Sequence, residues 1–397
     1  MQNQLPNVSK RNQAGLSVFL RIVATLSFVA FGVTHVASQQ PPPTTPPPKN
    51  PAPLISNWHD ATEFTIEGKG WTDTEYLYDR LPARAKGVVP DRVFALAGHS
   101  SGVLIRFLTD APVVYTQWSL RHDALTLPIM SAGAASGLDL YGRPVGGVFR
   151  HINVGVPTQQ AQNTSVFLTG NRAQELREYL LYLPTQNGIT LLKIGVQDKY
   201  TIQDALQRPE NKRRPIVYYG TSIIQGVASS RSGMTSTAIL GRVLDRPIIN
   251  LGFAGSANIE PELIKFINEL DPAVFVIDAL WNAYLLPPDV LASRLENAAR
   301  TLRAAHPNTP ILFVGQSVRD PNLVTGLEAS ALQKKLVERL IKSGVPLIFH
   351  LDGTKLLRAD GEGTVDSVHL NDYGMISQAT ALRPVLERLL AISAAQK

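Results

Sequence analysis

Hydrophobic positions along this 397-residue chain follow two different patterns, which meet near residue 210. Between residues 55 and 205 the apolar residues come in short runs rich in β-branched and aromatic side chains. Arg92–Leu96, Val103–Phe107, Val113–Leu120, Gly147–Ile152, Thr164–Leu168 and Ile189–Val196 are separated by turn-forming Gly, Asp and Asn, which predicts strands. Glu175–Leu183 fits a short helix or a further strand. A β-sandwich or jelly-roll of about 150 residues is expected here. From residue 214 five apolar runs appear: Ile216–Tyr219, Ile248–Leu251, Ala273–Ile277, Ile311–Val314 and Leu347–Phe349. Segments of helical period lie between them, at 286–304 and 325–343, and a last one spans about 374–391. Apolar strands alternating with helices predict an α/β, three-layer domain over 214–397, its parallel sheet covered on both faces.

The amino end follows neither pattern. Lys10 and Arg11 precede the apolar run Ile22–Val33, which leads to Val36-Ala37-Ser38. A basic region, an apolar core and small residues before a cleavage point predict a secretory signal over residues 1–38. The competing reading is a retained anchor over residues 16–38, the only route by which this chain is expected to meet a membrane. Against it, Arg21 interrupts the longer apolar stretch. The uninterrupted run would rise only about 18 Å as a helix, short of a bilayer's roughly 30 Å. Residues 39–54 contain PPPTTPPP, a proline-rich spacer that neither helix nor sheet accommodates. The expected order is signal 1–38, spacer 39–54, β accessory domain 55–205 and α/β domain 214–397, in a periplasmic or extracellular protein.

Composition then removes several functions. The net charge is +6, and losing Lys10, Arg11 and Arg21 with the signal would leave only about +3. That excess is too weak to argue for a nucleic-acid partner, and no zinc-finger spacing accompanies it. Cysteine is absent, which excludes disulfides, thiolate nucleophiles and cysteine-ligated metals.

Two serines compete for the role of nucleophile. Gly98-His99-Ser100-Ser101-Gly102 matches G-x-S-x-G, but a strand run follows it where that motif needs a helix, so a β-turn between two strands is expected. Ser222 has the better setting: the strand run ends at Tyr218-Tyr219, Gly220 permits a tight turn, and Met234–Leu244 can form a helix beyond a loop. Taken alone, Ser222 also fits a capping or turn residue. Of the eight histidines, His369 sits in a loop just before a helix that Asn371 or Asp372 can cap. His99, His122 and His151 fall in the β region, and His350 ends a core strand. Asp366, three residues before His369, is placed to meet one ring nitrogen and leave the other toward a serine. It also fits an ordinary solvated loop carboxylate.

With these residues in order, the chain resembles the SGNH (GDSL-type) hydrolases, in the branch where a β-sandwich precedes the esterase domain. Gly220-Thr221-Ser222-Ile223-Ile224-Gln225-Gly226 resembles the family's nucleophile block, with Thr and Ile where G-D-S-L has Asp and Leu. Asn250-Leu251-Gly252-Phe253-Ala254-Gly255 resembles the second block and Asp278-Ala279-Leu280-Trp281-Asn282 the third, which here lacks the usual Gly and Asp. Asp366-Ser367-Val368-His369 is the D-x-x-H pair, and Gly137-Leu138-Asp139-Leu140-Tyr141 resembles a G-x-D-L-Y signature of the accessory domain.

The resemblance implies a catalytic triad of Ser222, His369 and Asp366. It also implies an oxyanion hole from the amides of Ser222 and Gly255 and the side chain of Asn282, and hydrolysis without metal or organic cofactor. From the residues alone, Gly255 also fits a loop turn and Asn282 a cap ahead of Pro287. Asp278 could brace the nucleophile loop. The loop 228–234 could line the alcohol side, with Arg231 as a substrate contact. The expected activity is a serine esterase removing short acyl groups, acetyl first, from a small molecule or a cell-wall glycan. The alternatives are a weakly active or inactive glycan-binding protein, an esterase of lipid or aryl esters, and a peptidase.

Overall fold

The computed structural model describes residue 55, residues 57–317 and residues 326–396. The signal or anchor and the spacer expected within residues 1–54 lie outside them. The described residues belong to one compact unit, Pro53–Lys397. Among them no helix is long and apolar enough to cross a membrane.

The first half is a sandwich of two antiparallel sheets. One orders its strands Asn57–Asp60, Ile189–Val196, Val113–Leu120 and Asn163–Leu168. The other runs Ile202–Asp204, Leu104–Thr109, Arg177–Tyr182, Leu138–Pro144 and Arg150–Gly155, with Thr65–Glu67 also pairing to Leu104–Thr109. Alternate residues of both sheets, among them Ile105, Phe107, Trp118, Leu140, Phe167 and Ile194, close a shared core. Glu175–Leu183 resolves as strand, and the run expected from Gly147 begins only at Arg150.

One expected strand is a helix. Asp91–Ala97 opens after Pro90, carries an acidic residue in its first turn, and ends at Gly98. Val93 and Ala97, four residues apart, are its buried face. This helix also crosses the expected division of the chain. Trp71, Leu81, Ala85, Val89, Val93 and Ala97 pack in the same core as Val217, Tyr219, Leu251 and Phe253 of the parallel sheet. The G-x-S-x-G segment therefore joins a helix to the strand Leu104–Thr109, rather than two strands.

The second half is the expected three-layer α/β domain. Five parallel strands stand in the order Ile248–Gly252, Ile216–Gly220, Val274–Asp278, Ile311–Val314 and Ile348–Leu351. Period-two alternation sends Val217, Tyr219, Phe275 and Ile277 to a layer with the helices Pro261–Ile267, Pro288–Ala305 and Leu327–Lys342. Ile216, Tyr218, Val274 and Val276 face Ser236–Val243 and Asp372–Ala395. Burying each large apolar side chain stabilises by about 1.5–3 kcal/mol, which explains why the strands read as continuous apolar runs.

Candidate active site

The strand Ile216–Gly220, second in the parallel sheet, ends at a residue with no space for a side chain. A Cβ on Gly220 would lie 2.4 Å from Ile224 Cγ1 and 2.7 Å from the carbonyl of Asp278. Thr221 is extended, and Ser222–Gln225 makes one helical turn. Ser222 thus stands beyond the carboxyl edge of the sheet, where open α/β sheets gather their chemistry. Its hydroxyl lies 2.9 Å from His369 Nε2, across 147 residues of sequence.

His369 is held by its own loop. Asp366 Oδ2 is 2.6 Å from His369 Nδ1, while Oδ1 accepts the backbone N–H groups of Val368 (3.1 Å) and His369 (2.8 Å). A carboxylate only accepts, so Nδ1 carries the ring proton and Nε2 is left to accept from Ser222. Ser367, between them, adopts φ 77°, a strained geometry for a residue with a side chain, costing about 1–3 kcal/mol. A backbone bond from Val365 N–H to the His369 carbonyl (3.0 Å) closes the loop. Asn371 caps the following helix by accepting from Gly374 N–H at 3.0 Å. Burial alone would raise the Asp366 carboxyl. Hydrogen bonds from the His369 ring and from two backbone N–H groups outweigh it and hold the group below the usual carboxylate range.

The other expected residues come from strands beside Ser222. Gly255 follows Ile248–Gly252 with φ 63°, and an added Cβ would sit 2.8 Å from Arg92 Nη2. That left-handed backbone favours glycine there, while the Arg92 guanidinium is the far end of an exposed side chain that can move aside. Asn282 lies on the one-turn helix Leu280–Ala283 after Val274–Asp278. Its side-chain nitrogen donates to the Ser256 carbonyl, tying its loop to the one that carries Gly255. Asp278 pairs in register with Gly220, is buried, and accepts the Tyr218 hydroxyl at 2.9 Å. Burial pushes its carboxyl up to about 7, partly offset by that hydrogen bond.

Residues 213–387 match the GDSL-like lipase/acylhydrolase family, and residues 56–202 match the N-terminal region of SGNH-hydrolase-type esterases. A protein described as a GDSL-like lipase from Bacteroides ovatus is 30% identical, with TM-score 0.75, covering 84% of this chain and 98% of its own. The chain belongs to the GDSL-like lipase/acylhydrolase family.

This GDSL-like protein is an ester hydrolase with an SGNH-type fold. The fold is shared at lower identity by the salicylyl-acyltransferase SsfX3 of a tetracycline biosynthetic pathway, 18% identical with TM-score 0.68, covering 84% of this chain and 97% of that one. It is shared too by an acetyl xylan esterase from the rumen bacterium Butyrivibrio proteoclasticus, 9% identical with TM-score 0.57, covering 84% and 99%. A search among curated proteins finds no match.

In this GDSL-like hydrolase the loop after the Ser222 turn is pinned from both sides. Ser230 donates through its backbone (2.8 Å) and its hydroxyl (2.5 Å) to Asp372, three residues beyond His369. Arg231 reaches Tyr141 Oη at 2.5 Å and Asp139 at 3.3 Å, and Asp139 also accepts Gly233 N–H at 2.8 Å. The G-x-D-L-Y segment is therefore a clamp on this loop, a role that the signature's spacing did not disclose. The pairing of Ser230 with Asp372 carried no sequence signal, because it is a contact across 142 residues.

Proposed function

We propose that this GDSL-like hydrolase removes short acyl groups, acetyl foremost, from a carbohydrate through an acyl-enzyme on Ser222. The observation that carries the proposal is the line Ser222 Oγ, His369 Nε2, His369 Nδ1 and Asp366 Oδ2, with polar contacts of 2.9 and 2.6 Å. As Ser222 attacks the ester carbonyl carbon, its proton passes to His369 Nε2. Asp366 keeps the ring oriented and stabilises the imidazolium. His369 then protonates the departing alcohol, and a water that gives its proton to His369 attacks the acyl-enzyme, releasing the acid and restoring Ser222.

The tetrahedral oxyanion would be met by the amides of Ser222 and Gly255 and by the side chain of Asn282. Each donor would contribute roughly 3–4 kcal/mol where charge develops. No step needs a metal or organic cofactor. Arg231, engaged by Asp139 and Tyr141, is assigned to anchoring its loop ahead of direct substrate contact. Residues 55–205 act as the accessory domain and 214–397 as the catalytic one. Residues 1–38 are read as an export signal, which would bring the enzyme to an extracellular or periplasmic glycan. The acetyl xylan esterase with this fold supports the carbohydrate assignment.

The test compares acetate release from acetylated xylo-oligosaccharides with turnover of p-nitrophenyl acetate and a long-chain p-nitrophenyl ester. Preference for acetate over the long chain, and release from the oligosaccharide, is the expected result. Turnover of the long-chain ester alone would replace this reading with a lipid esterase.

A further inference from the structure

Gln225 ends the helical turn that begins at Ser222, and it is completely buried. Its side-chain oxygen accepts the backbone N–H of Ala254 at 2.8 Å, one residue before Gly255. Its side-chain nitrogen lies 3.1 Å from the Thr185 carbonyl, 3.0 Å from Gln186 Oε1 and 3.0 Å from His99 Nδ1. An amide nitrogen only donates, so its two hydrogens are shared among three acceptors, and His99 carries its own proton on Nε2. Burial, with the charges of Arg80, His122 and Arg121, pushes His99 down to about 3, which keeps it the neutral acceptor this contact requires. The Gln225 backbone carbonyl in turn receives the Ser101 hydroxyl at 2.7 Å.

The Gly98–Gly102 turn therefore meets the nucleophile turn twice, through His99 and Ser101. Arg80 fastens the same turn to the strand that leads to Gly255. Its guanidinium donates to the carbonyls of His99 (2.7 Å), Asn250 (3.1 Å) and Gly252 (2.7 Å). A buried side-chain amide with every group engaged has no freedom to rotate, so it fixes the spacing of the two loops it joins.

We infer that Gln225 is a positioning residue for the oxyanion hole: it sets the Gly255 amide relative to Ser222, with the Gly98–Gly102 turn of the β region as its fixed anchor. This rests on the assignment of Ser222 as nucleophile and Gly255 as oxyanion donor. The β region thereby contributes to transition-state stabilisation without touching substrate.

The test uses the full chain with Gln225→Ala, and Gln225→Asn as a milder change that keeps the amide but shortens it by one methylene, so that it cannot reach Ala254 and its anchor together. For each, kcat and KM are measured on p-nitrophenyl acetate. Affinity is measured for a phenylboronic acid, whose adduct with a serine hydroxyl places an anionic oxygen in the oxyanion hole. Circular dichroism reports folding. Gln225→Ala is expected to lower kcat and boronate affinity in parallel by about 100-fold, with KM within about threefold. Gln225→Asn should move both in the same direction by about three- to tenfold. A merely structural role would not reduce boronate affinity in step with kcat.

If Gln225→Ala is folded and keeps both quantities within about threefold of the parent, the inference is overturned. A fall in kcat with unchanged boronate affinity overturns it as well. If Gln225→Ala does not fold, an unchanged boronate affinity and kcat in Gln225→Asn decides against the inference, and the expected parallel fall supports it. Ser222→Ala in the same assay separates the two levels. Full activity there removes the nucleophile assignment itself, whereas an inactive Ser222→Ala beside a normal Gln225→Ala removes only the role of Gln225.

Discussion

Two glycine-flanked serine turns lie against each other in this hydrolase, and they have opposite fates. Ser100 and Ser101 follow a helix, precede a strand, and are completely buried. The Ser100 hydroxyl finds no partner among the described residues, and that of Ser101 is spent on the Gln225 carbonyl. Ser222 follows a strand and precedes a helical turn, keeps 7% of its surface exposed, and has an imidazole nitrogen 2.9 Å from its hydroxyl. A short motif is therefore a poor guide to what a serine hydroxyl faces. What separates the two turns is the order of elements around them, because only a strand ending at the sheet edge projects its serine toward the loops of neighbouring strands.

Substituting the two serines in turn puts that contrast at greatest risk. Ser222→Ala should lower kcat by about 10⁴-fold or more with the thermal midpoint preserved, whereas Ser101→Ala should stay within about tenfold of the parent. Similar losses in steady-state assays of both variants would erase the distinction. Asp366→Asn comes next, with kcat expected to drop about 100-fold or more, since the ring would lose the acceptor that selects its tautomer. Steady-state kinetics showing an unaffected kcat would make the Asp366 contact incidental.

Stability sharpens the comparison from the buried side. Arg80 has 1% of its surface exposed, and its guanidinium also donates to the Leu96 carbonyl at 2.7 Å. Burial pushes it down to about 9, although Asp79 works against the shift. Arg80→Met would remove a donor from four carbonyls, of which that of Leu96 still accepts the His99 N–H, and should cost about 3 kcal/mol or more in urea unfolding. A loss below about 1 kcal/mol would show that the Gly98–Gly102 turn is held by other contacts.

The smallest expected effect concerns pH. The raised Asp278 carboxyl keeps its proton in the native state where the unfolded chain has released it. Its contribution to stability is thus present below about pH 4 and lost as pH rises through about 7. Asp278→Asn should flatten the decline in thermal midpoint between about pH 4 and about pH 7, and parallel profiles for parent and variant would contradict the shift.

Much of this architecture was readable before any coordinates. The parallel strands are buried on both faces, so Ile216–Tyr219 and Ile311–Val314 stand out as unbroken apolar runs. Ser222, Asp366 and His369 emerged because strand context and a D-x-x-H spacing converge with a family resemblance, and the fold brings the three together. The helix Asp91–Ala97 was missed because seven residues cannot display a helical period, and Val93 and Phe94 favour a strand by composition. Its packing on the parallel sheet, a tertiary contact, decides the matter. The contacts made by Gln225, Arg80 and Asp139 left no local trace. Their partners lie 126, 172 and 94 residues away for the contacts to His99, Gly252 and Gly233, beyond the reach of any sequence window. For Gly255 the expected alternatives were an oxyanion amide or a loop turn, and the structure shows a left-handed backbone at φ 63°.

The most direct test of the central claim is to label the enzyme with a serine-directed fluorophosphonate and map the adduct by peptide mass spectrometry. The account predicts a single modified peptide carrying the label on Ser222, with labelling abolished in His369→Ala. A label on Ser100 or Ser101, or unlabelled Ser222 in an enzyme the reagent has inactivated, would contradict it.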